Sequence, residues 1–370
     1  MNAGHTIPEG RLLSLDVFRG FAMVLLIAET TGLYDLMLHP ALEGTLISKV
    51  GLQFQHSPWE GLRLWDMGLA FFMFISGAGM AYSLRKKRDR GETKGAILRH
   101  AAKRALWLFM IGWALYMVSP PEGAPPWAFL LDVLPALGLG TLVACLVANM
   151  SLLGKLGVSL GLIAMTEILY RLWPIPGFDQ PFAAGHNFGS FLDLKLWGGL
   201  SAGHWVTFNI VPSSAFVVWG LMTADLLQSE CQQRSKLLKL ITVGLGAVGA
   251  GFALSALTPM IRKILTSSFM IASGGFSLVF LALSYWIIDV LKVRRWALVP
   301  LAVGMNPLFI FIFARSGGSD WFMNMVQPFA KALLGWGGGG LVHGGTALGA
   351  LGLMCISCVA LFKKEIFIKI

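Results

Sequence analysis

Charge is scarce in this chain. Asp, Glu, Lys and Arg make up 13% of its 370 residues, against about 25% in an average soluble domain. No stretch is long and polar enough to stand as a separate soluble domain, so one transmembrane domain over residues 1–370 is the simplest organisation. Cysteine is scarce too. Cys145, Cys231, Cys355 and Cys358 all avoid the segments read as external, which excludes a disulfide framework. Cys355 and Cys358 lie three apart on an apolar helix, a packing arrangement more than a metal site. No metal is expected, because the histidines lack ligand spacing and have no carboxylate cluster beside them. Acidic residues are outnumbered, 19 to 29, for a formal net charge of +10. On a soluble protein that excess would raise the question of nucleic acid. Here the bases gather in alternate loops, which marks topology instead, and no nucleic-acid partner is expected. A cleavable signal peptide is not expected either, since the first apolar run lacks a small-residue cleavage site. No internal repeat of the kind that builds inverted-repeat transporters is visible.

Apolar residues are abundant: 56% of the chain is hydrophobic and the mean hydropathy is +0.70. Separated apolar runs of about 20 residues recur, each long enough to cross a bilayer. The expected fold is an all-α membrane protein, a polytopic bundle of about ten transmembrane helices. The spans fall at roughly 13–36, 60–84, 99–118, 128–149, 153–172, 207–228, 237–257, 267–291, 297–315 and 342–362. With both termini cytoplasmic, most Lys and Arg lie inside, notably in the run from Arg85 to Arg104. The histidines lean the other way: His39, His56, His186, His204 and His343 fall outside, His5 and His100 inside. A proton-handling site is therefore most easily built on the outer side.

One stretch puts a titratable imidazole at the mouth of a helix. In Gln55-His56-Ser57-Pro58-Trp59-Glu60-Gly61-Leu62, Ser57 reads as an N-cap, Pro58 as the first helical residue and Glu60 as the capping-box partner. A helix from Pro58 would run into the apolar stretch 64–84 and leave His56 just outside. The plain alternative is a histidine resting at the water interface.

Charges within spans usually face the bundle interior. Asp16 and Arg19, three apart, can pair on one helix face; alternatively Arg19 lines a cytoplasmic vestibule and meets phosphate. Glu29 and Asp66 both come out about 12–13 Å below the outer surface, so they can share one layer. A straight helix from Pro58 would put Asp66 about 13 Å from His56, out of hydrogen-bond range. Direct contact then requires that the helix begin later, kink near Gly61, or use a water chain. Asp225 and Asp289, near inner ends, read as partners of nearby Lys or Arg. Asn306 stands beside Pro307 in mid-span, where proline frees a carbonyl that an amide or a ligand can meet. Three outer segments stand out. Residues 119–127 are a stiff Pro-rich turn, 173–206 a long loop with Trp173, Trp197, Trp205, His186 and His204, and 320–336 a candidate interfacial helix with a glycine hinge after it. Tryptophans such as Trp205 serve either as interfacial anchors or as stacking platforms for sugar rings.

These motifs resemble the heparan-α-glucosaminide N-acetyltransferase family of transmembrane acyltransferases. Arg11-Leu-Leu-Ser-Leu-Asp16-Val-Phe-Arg19-Gly20-Phe is similar to its first-span signature. His56-Ser-Pro-Trp59-Glu-Gly61-Leu with Asp66 and Phe71-Phe-Met-Phe-Ile-Ser-Gly77 is similar to its second. Thr258-Pro259 through Leu265-Thr266-Ser267-Ser268-Phe269, with Gly274 and Tyr285 to Asp289, supplies a third, and Gly304-Met305-Asn306 a fourth. The order matches over most of the chain. The resemblance implies acetyl transfer from cytoplasmic acetyl-CoA to an amino sugar or related glycan on the far side of a membrane, with a bacterial inner membrane as the setting and a homodimer as the related enzymes' assembly. The family's functional histidine falls on His56. The family's asparagine late in the first span falls near Glu29-Thr30-Thr31, where this chain has none.

Residue chemistry and resemblance together nominate His56, Asp66 and Glu29 as catalytic. Arg19, Lys103, Arg104 and Asn306 are the candidates for holding the donor, and His186, His204 and Trp205 for holding the acceptor. His56 would serve as general base or transient acyl carrier. The competing class is a proton-coupled sugar or small-solute transporter, with Glu29, Asp66, Asp132 and Glu167 as its path and no acyl chemistry.

Overall fold

A computed structural model describes residues 12–118 and 125–368. Arg11 of the first motif, His5, Lys369 and most of the 119–127 turn lie outside the described residues. Among the described residues all regular structure is helical. The helices are α1 (Leu13–Glu29), α2 (Leu33–Met37), α3 (Leu46–Gln53), α4 (Gly68–Asp89), α5 (Lys94–Val118), α6 (Val133–Val147), α7 (Leu152–Arg171) and α8 (Phe188–Trp197). They continue with α9 (Ser214–Gln228), α10 (Gln233–Leu254), α11 (Ser267–Tyr285), α12 (Leu298–Met305), α13 (Pro307–Phe313), α14 (Ser319–Leu334) and α15 (Gly338–Lys363). Among the described residues seven helical segments are long and apolar enough to cross a membrane, and Val133–Val147 and Arg295–Met305 are shorter apolar helices.

Several expected spans are broken where the local chemistry demands it. The first stops at Glu29, and Gly32 (φ +69°) turns the chain into α2. The ninth divides at Asn306-Pro307, because proline has no N–H to continue the ladder. Helix starts are capped where polar side chains permit: Thr45, Ser151 and Asn187 each accept a backbone N–H from their first turn. Asp132 is such a cap too, accepting the Leu134 N–H at 3.4 Å.

The second span differs from the sequence expectation in a way that matters. Ser57, Pro58 and Glu60 are not helical; a 3₁₀ turn begins at Leu64 and α4 at Gly68. Gly61 has φ +124°, a conformation an N-terminal helical turn cannot use. Its N–H donates to the Met260 carbonyl at 2.8 Å, and the Trp59 indole N–H donates to the Phe182 carbonyl at 2.8 Å. Tertiary hydrogen bonds thus draw 57–62 into a loop and move the start of the helix along the chain.

The helices gather into two compact units. One is made of Met1–His56, Arg63–Gly68 and Leu281–Ile370. In it α1 packs on α12 and α14 on α15. Gly20 and Gly304 face each other across the α1–α12 crossing: a methyl group on Gly304 would lie 2.0 Å from the Asp16 carbonyl oxygen. Asp289 accepts the Ser14 N–H at 3.2 Å and lies 3.9 Å from Arg294. The other unit is made of Ser57–Leu62 and Leu69–Phe280. There α5 packs on α6, and α9 on α6 and α7. Gly77 and Gly220 make the matching close crossing of α4 and α9. Asp225 pairs with the buried Lys155 at 2.5 Å. The four cysteines are unpaired, and Cys358 is buried by packing.

Candidate functional site

The later helix start brings together what a straight helix would separate. Arg63 is the residue before the 3₁₀ turn Leu64–Met67, and Asp66 is third in it. Asp66 Oδ2 accepts the Arg63 N–H at 3.0 Å, so a carboxylate satisfies a donor the helix leaves open. The Arg63 guanidinium donates to the His56 carbonyl at 3.1 Å. Both ends of the intervening loop are thereby tied to one residue. His56 Nδ1 then stands 3.2 Å from Asp66 Oδ1. The Asp66 side chain is 1% exposed and that of His56 40% exposed, so a buried carboxylate orients an accessible ring.

An aromatic wall completes the arrangement. The His56 ring lies 6.3 Å from Trp65, with the planes 22° apart. Tyr34 stacks on Phe54 at 4.3 Å and meets Trp65 edge-on at 5.6 Å. The Tyr34 hydroxyl donates to the Leu25 carbonyl at 2.8 Å, which fixes α2 against the end of α1. Gln55, next to His56, donates to Asp35 of α2 at 3.0 Å. Glu29 Oε1 accepts the Trp65 indole N–H at 2.6 Å. Glu29 and Asp66 are therefore linked through Trp65, Asp66's own chain neighbour. Arg63, Trp65, Tyr34 and Phe54 were not singled out from the sequence. Asp66, three residues after Arg63, carries only the acidic half of a capping-box signal, because an arginine side chain cannot accept, and that half is hidden by the fuller pattern starting at Ser57.

A carboxylate can only accept a hydrogen bond, so the proton of a neutral His56 belongs on Nδ1 and its basic lone pair on Nε2. That is the tautomer a general base or an acyl-accepting nucleophile requires.

The remaining candidates fall into other settings. Arg19 Nη1 donates to Asp16 Oδ1 at 3.0 Å and to the Gly304 carbonyl at 3.4 Å, the ion-pair arrangement at the α1–α12 crossing. Asn306 is fully buried; its amide donates to the Ile366 carbonyl and accepts the Ile368 N–H, each at 2.9 Å, and so holds the segment after α15. Lys103 is exposed on α5, with Arg104 partly buried beside it.

The 173–206 loop is a folded element. It contains α8 and contributes Phe188 and Val206 to a cluster with Tyr170, Ile261 and Ile264. His186 Nδ1 lies 3.0 Å from the Gly177 carbonyl and pins a turn. His204 (φ +55°) packs against the backbone of Gly185 and edge-on to Trp59 at 6.5 Å. Its Nδ1 is buried with no hydrogen-bond partner among the described residues. The Arg262 guanidinium lies 4.3 Å over the Trp205 ring, and Lys263 Nζ 5.8 Å over Trp59. Asp193 of α8 is buried and accepts the Thr207 N–H at 3.1 Å and the Thr207 hydroxyl. Burial pushes its carboxyl up to about 6, against the opposing pull of the Thr207 hydrogen bonds. Glu167 accepts from Arg171, Thr258 and Ser267, which joins α7 to the segment after α10 and to the start of α11. Among the described residues no group of three or more His, Cys, Asp or Glu is placed to hold a metal.

Two comparisons bear on this arrangement. The family model described as heparan-alpha-glucosaminide N-acetyltransferase, catalytic, matches residues 11–250. That range contains His56, Asp66, Glu29 and the loop with His186, His204 and Trp205, and it ends within α10. The human heparan-alpha-glucosaminide N-acetyltransferase is 27% identical over 166 residues, which is 45% of this chain and 20% of that protein. The matched part thus spans about a fifth of that relative's length. With the family model matched over residues 11–250, more than half of the chain, this chain belongs to the heparan-α-glucosaminide N-acetyltransferase catalytic family.

Proposed function

We propose that this protein is a transmembrane N-acetyltransferase that takes the acetyl group of acetyl-CoA from the cytoplasmic side and delivers it to the amine of an amino sugar or glycan on the other side. The observation that carries the reading is the His56–Asp66 pair, an oriented and accessible imidazole backed by a buried carboxylate. The family match supports the reaction class. The loop bias of Lys and Arg supports ten spans with both termini cytoplasmic.

In this reading the acceptor nitrogen attacks the thioester carbon while His56 Nε2 takes the amine proton. The new C–N bond forms as the C–S bond breaks, and the sulfur leaves as thiolate to collect the proton from the imidazolium. Asp66 stays ionised and stabilises the imidazolium as it forms. Glu29 fixes Trp65, and with it the wall behind the ring. Arg19, Lys103, Arg104 and Asn306 are assigned to the donor, with the cations facing its phosphates. His186, His204 and Trp205 are assigned to the acceptor.

The test is acetyl transfer by purified protein given labelled acetyl-CoA and glucosamine. The expected result is release of CoA with acetylated sugar, abolished in His56→Ala with the fold intact. Wild-type transfer by His56→Ala rejects the assignment, and solute uptake without CoA release points to a transporter. Label retained on protein when the acceptor is left out selects the acetyl-imidazole route over the general-base route.

A further inference from the structure

Between α14 and α15, lined by none of the residues of the His56 site, lies a cavity of about 410 Å³, within the size range of small-ligand sites. Its chemistry is one-sided. Asn324, Gln327 and Lys331, spaced three and four apart on one flank of α14, face His343 and Thr346 on α15. No carboxylate lines it. Asn324, Gln327, Lys331 and His343 make no hydrogen bond or ion pair among the described residues. Thr346 donates to the Val342 carbonyl. A cationic ammonium, two carboxamides and an imidazole, all uncommitted, suit a ligand with several acceptor oxygens and negative charge.

The packing shows why the groove stays open. Gly345 and Gly349 let α15 press directly onto α14: methyl groups there would lie 2.3 Å from Leu334 and 2.6 Å from Val326. The two helices close along that line, and the polar flank beside it remains accessible. The His343 ring rests over Gly32, where the backbone has φ +69° and carries no side chain to displace it.

The exposed side of α14 indicates where this groove lies. Trp321, Phe329 and Leu333 on α14 are 60%, 68% and 73% exposed, and Trp336 in the turn just after it is 84% exposed. Large apolar and aromatic residues on one side and amides with a lysine on the other are the pattern of a helix lying in a membrane interface. The groove would open at the depth of lipid headgroups.

We propose that the α14–α15 groove binds a phosphate-bearing group, supplied at that depth by an anionic phospholipid headgroup. Lys331 and His343 meet the phosphate, and Asn324 and Gln327 its esterified or free oxygens. The assignment does not depend on acyl transfer.

The experiment uses the full chain, delipidated in detergent and incubated with dioleoyl phosphatidylglycerol or dioleoyl phosphatidylcholine, with bound lipid counted by native mass spectrometry. Retention of phosphatidylglycerol is expected to exceed that of phosphatidylcholine. It should fall about fivefold in Lys331→Gln, the loss of one headgroup–lysine contact, and recover in Lys331→Arg. Lys363→Gln, at the end of α15, should leave it unchanged. Displacement of phosphatidylglycerol by millimolar inorganic phosphate would show that the same groups take the anion from solution; failure to displace it would mark the lipid as the source. Thermal melting of each variant separates lost binding from lost fold, and His343→Gln gives a second variant should Lys331→Gln fail to fold. Phosphatidylglycerol retention equal to that of phosphatidylcholine, or unchanged in both folded variants, overturns the proposal.

Discussion

His56 Nδ1 stands 3.2 Å from Asp66 Oδ1, and Arg63 holds both residues, one through its backbone N–H and the other through its guanidinium. The carboxylate has two separable duties: Oδ2 caps the turn and Oδ1 orients the ring. Asp66→Asn keeps an oxygen able to cap the turn but removes the charge that stabilises an imidazolium. The variant should therefore melt close to wild type while its turnover number falls about 10²–10⁴-fold. Steady-state release of CoA, measured with a melting curve on the same sample, checks this. Equal losses of stability and rate would instead make Asp66 a structural residue.

Glu29 makes the contrasting case. It reaches the site by accepting the Trp65 indole N–H. Glu29→Gln retains an acceptor and should keep turnover within about threefold, whereas Trp65→Phe loses the bond and should cost about 1 kcal/mol of stability. A Glu29→Gln variant as dead as His56→Ala would place that carboxylate in the proton path instead of behind the wall. Acetyl transfer and melting temperature for both variants decide it.

The resemblance motifs are explained in large part by helix crossings. Gly77 of the second motif lies where a methyl group would sit 2.0 Å from the Val217 carbonyl oxygen, and Gly220 answers at 1.9 Å from that of Phe74. Gly77→Ala must push α4 and α9 apart and should destabilise by about 1–3 kcal/mol. Gly246→Ala on α10, where nothing lies within 4 Å, should be neutral or stabilising by up to about 1 kcal/mol. Thermal unfolding in one detergent ranks the pair. A Gly77→Ala variant as stable as Gly246→Ala would refute the close crossing.

The helical class and the apolar runs were legible because burial in a bilayer needs only length and hydrophobicity, and both are local. His56, Asp66 and Glu29 were legible as ionisable groups in apolar surroundings, and the pairings of Asp225 and Asp289 as charges near helix ends. The contact between His56 and Asp66 was not. Ser57-Pro58-x-Glu60 is a good local start signal, and it was overruled by bonds from Gly61 to Met260 and from Trp59 to Phe182, partners distant in sequence. Asn306 read as meeting the carbonyl freed by Pro307, or a ligand, because its partners, Ile366 and Ile368, lie some 60 residues away. The glycine hinge after α14 was legible from Gly337 to Gly340: the turn falls at Gly338 (φ +83°), the first residue of α15, and Gly339 and Gly340 are already helical.

Asp193 gives the fold a pH dependence whose sign is fixed. Its carboxyl is buried within the folded 173–206 loop and titrates near 6 in the folded chain, against an ordinary value of 3.8. The folded state therefore holds that proton more tightly than the unfolded state. The stabilisation is complete below about pH 4, declines as pH rises from about 4 to 6, and is lost above, where the carboxylate must be buried ionised. Asp193→Asn stays neutral throughout and can still accept from Thr207. Wild type should lose stability relative to this variant across that window, by an amount on the order of 2 kcal/mol. Unfolding measured at several pH values between 4 and 7 tests it: parallel curves for the two proteins would mean that Asp193 titrates normally and that Thr207 hydrogen bonding, not burial, dominates its environment.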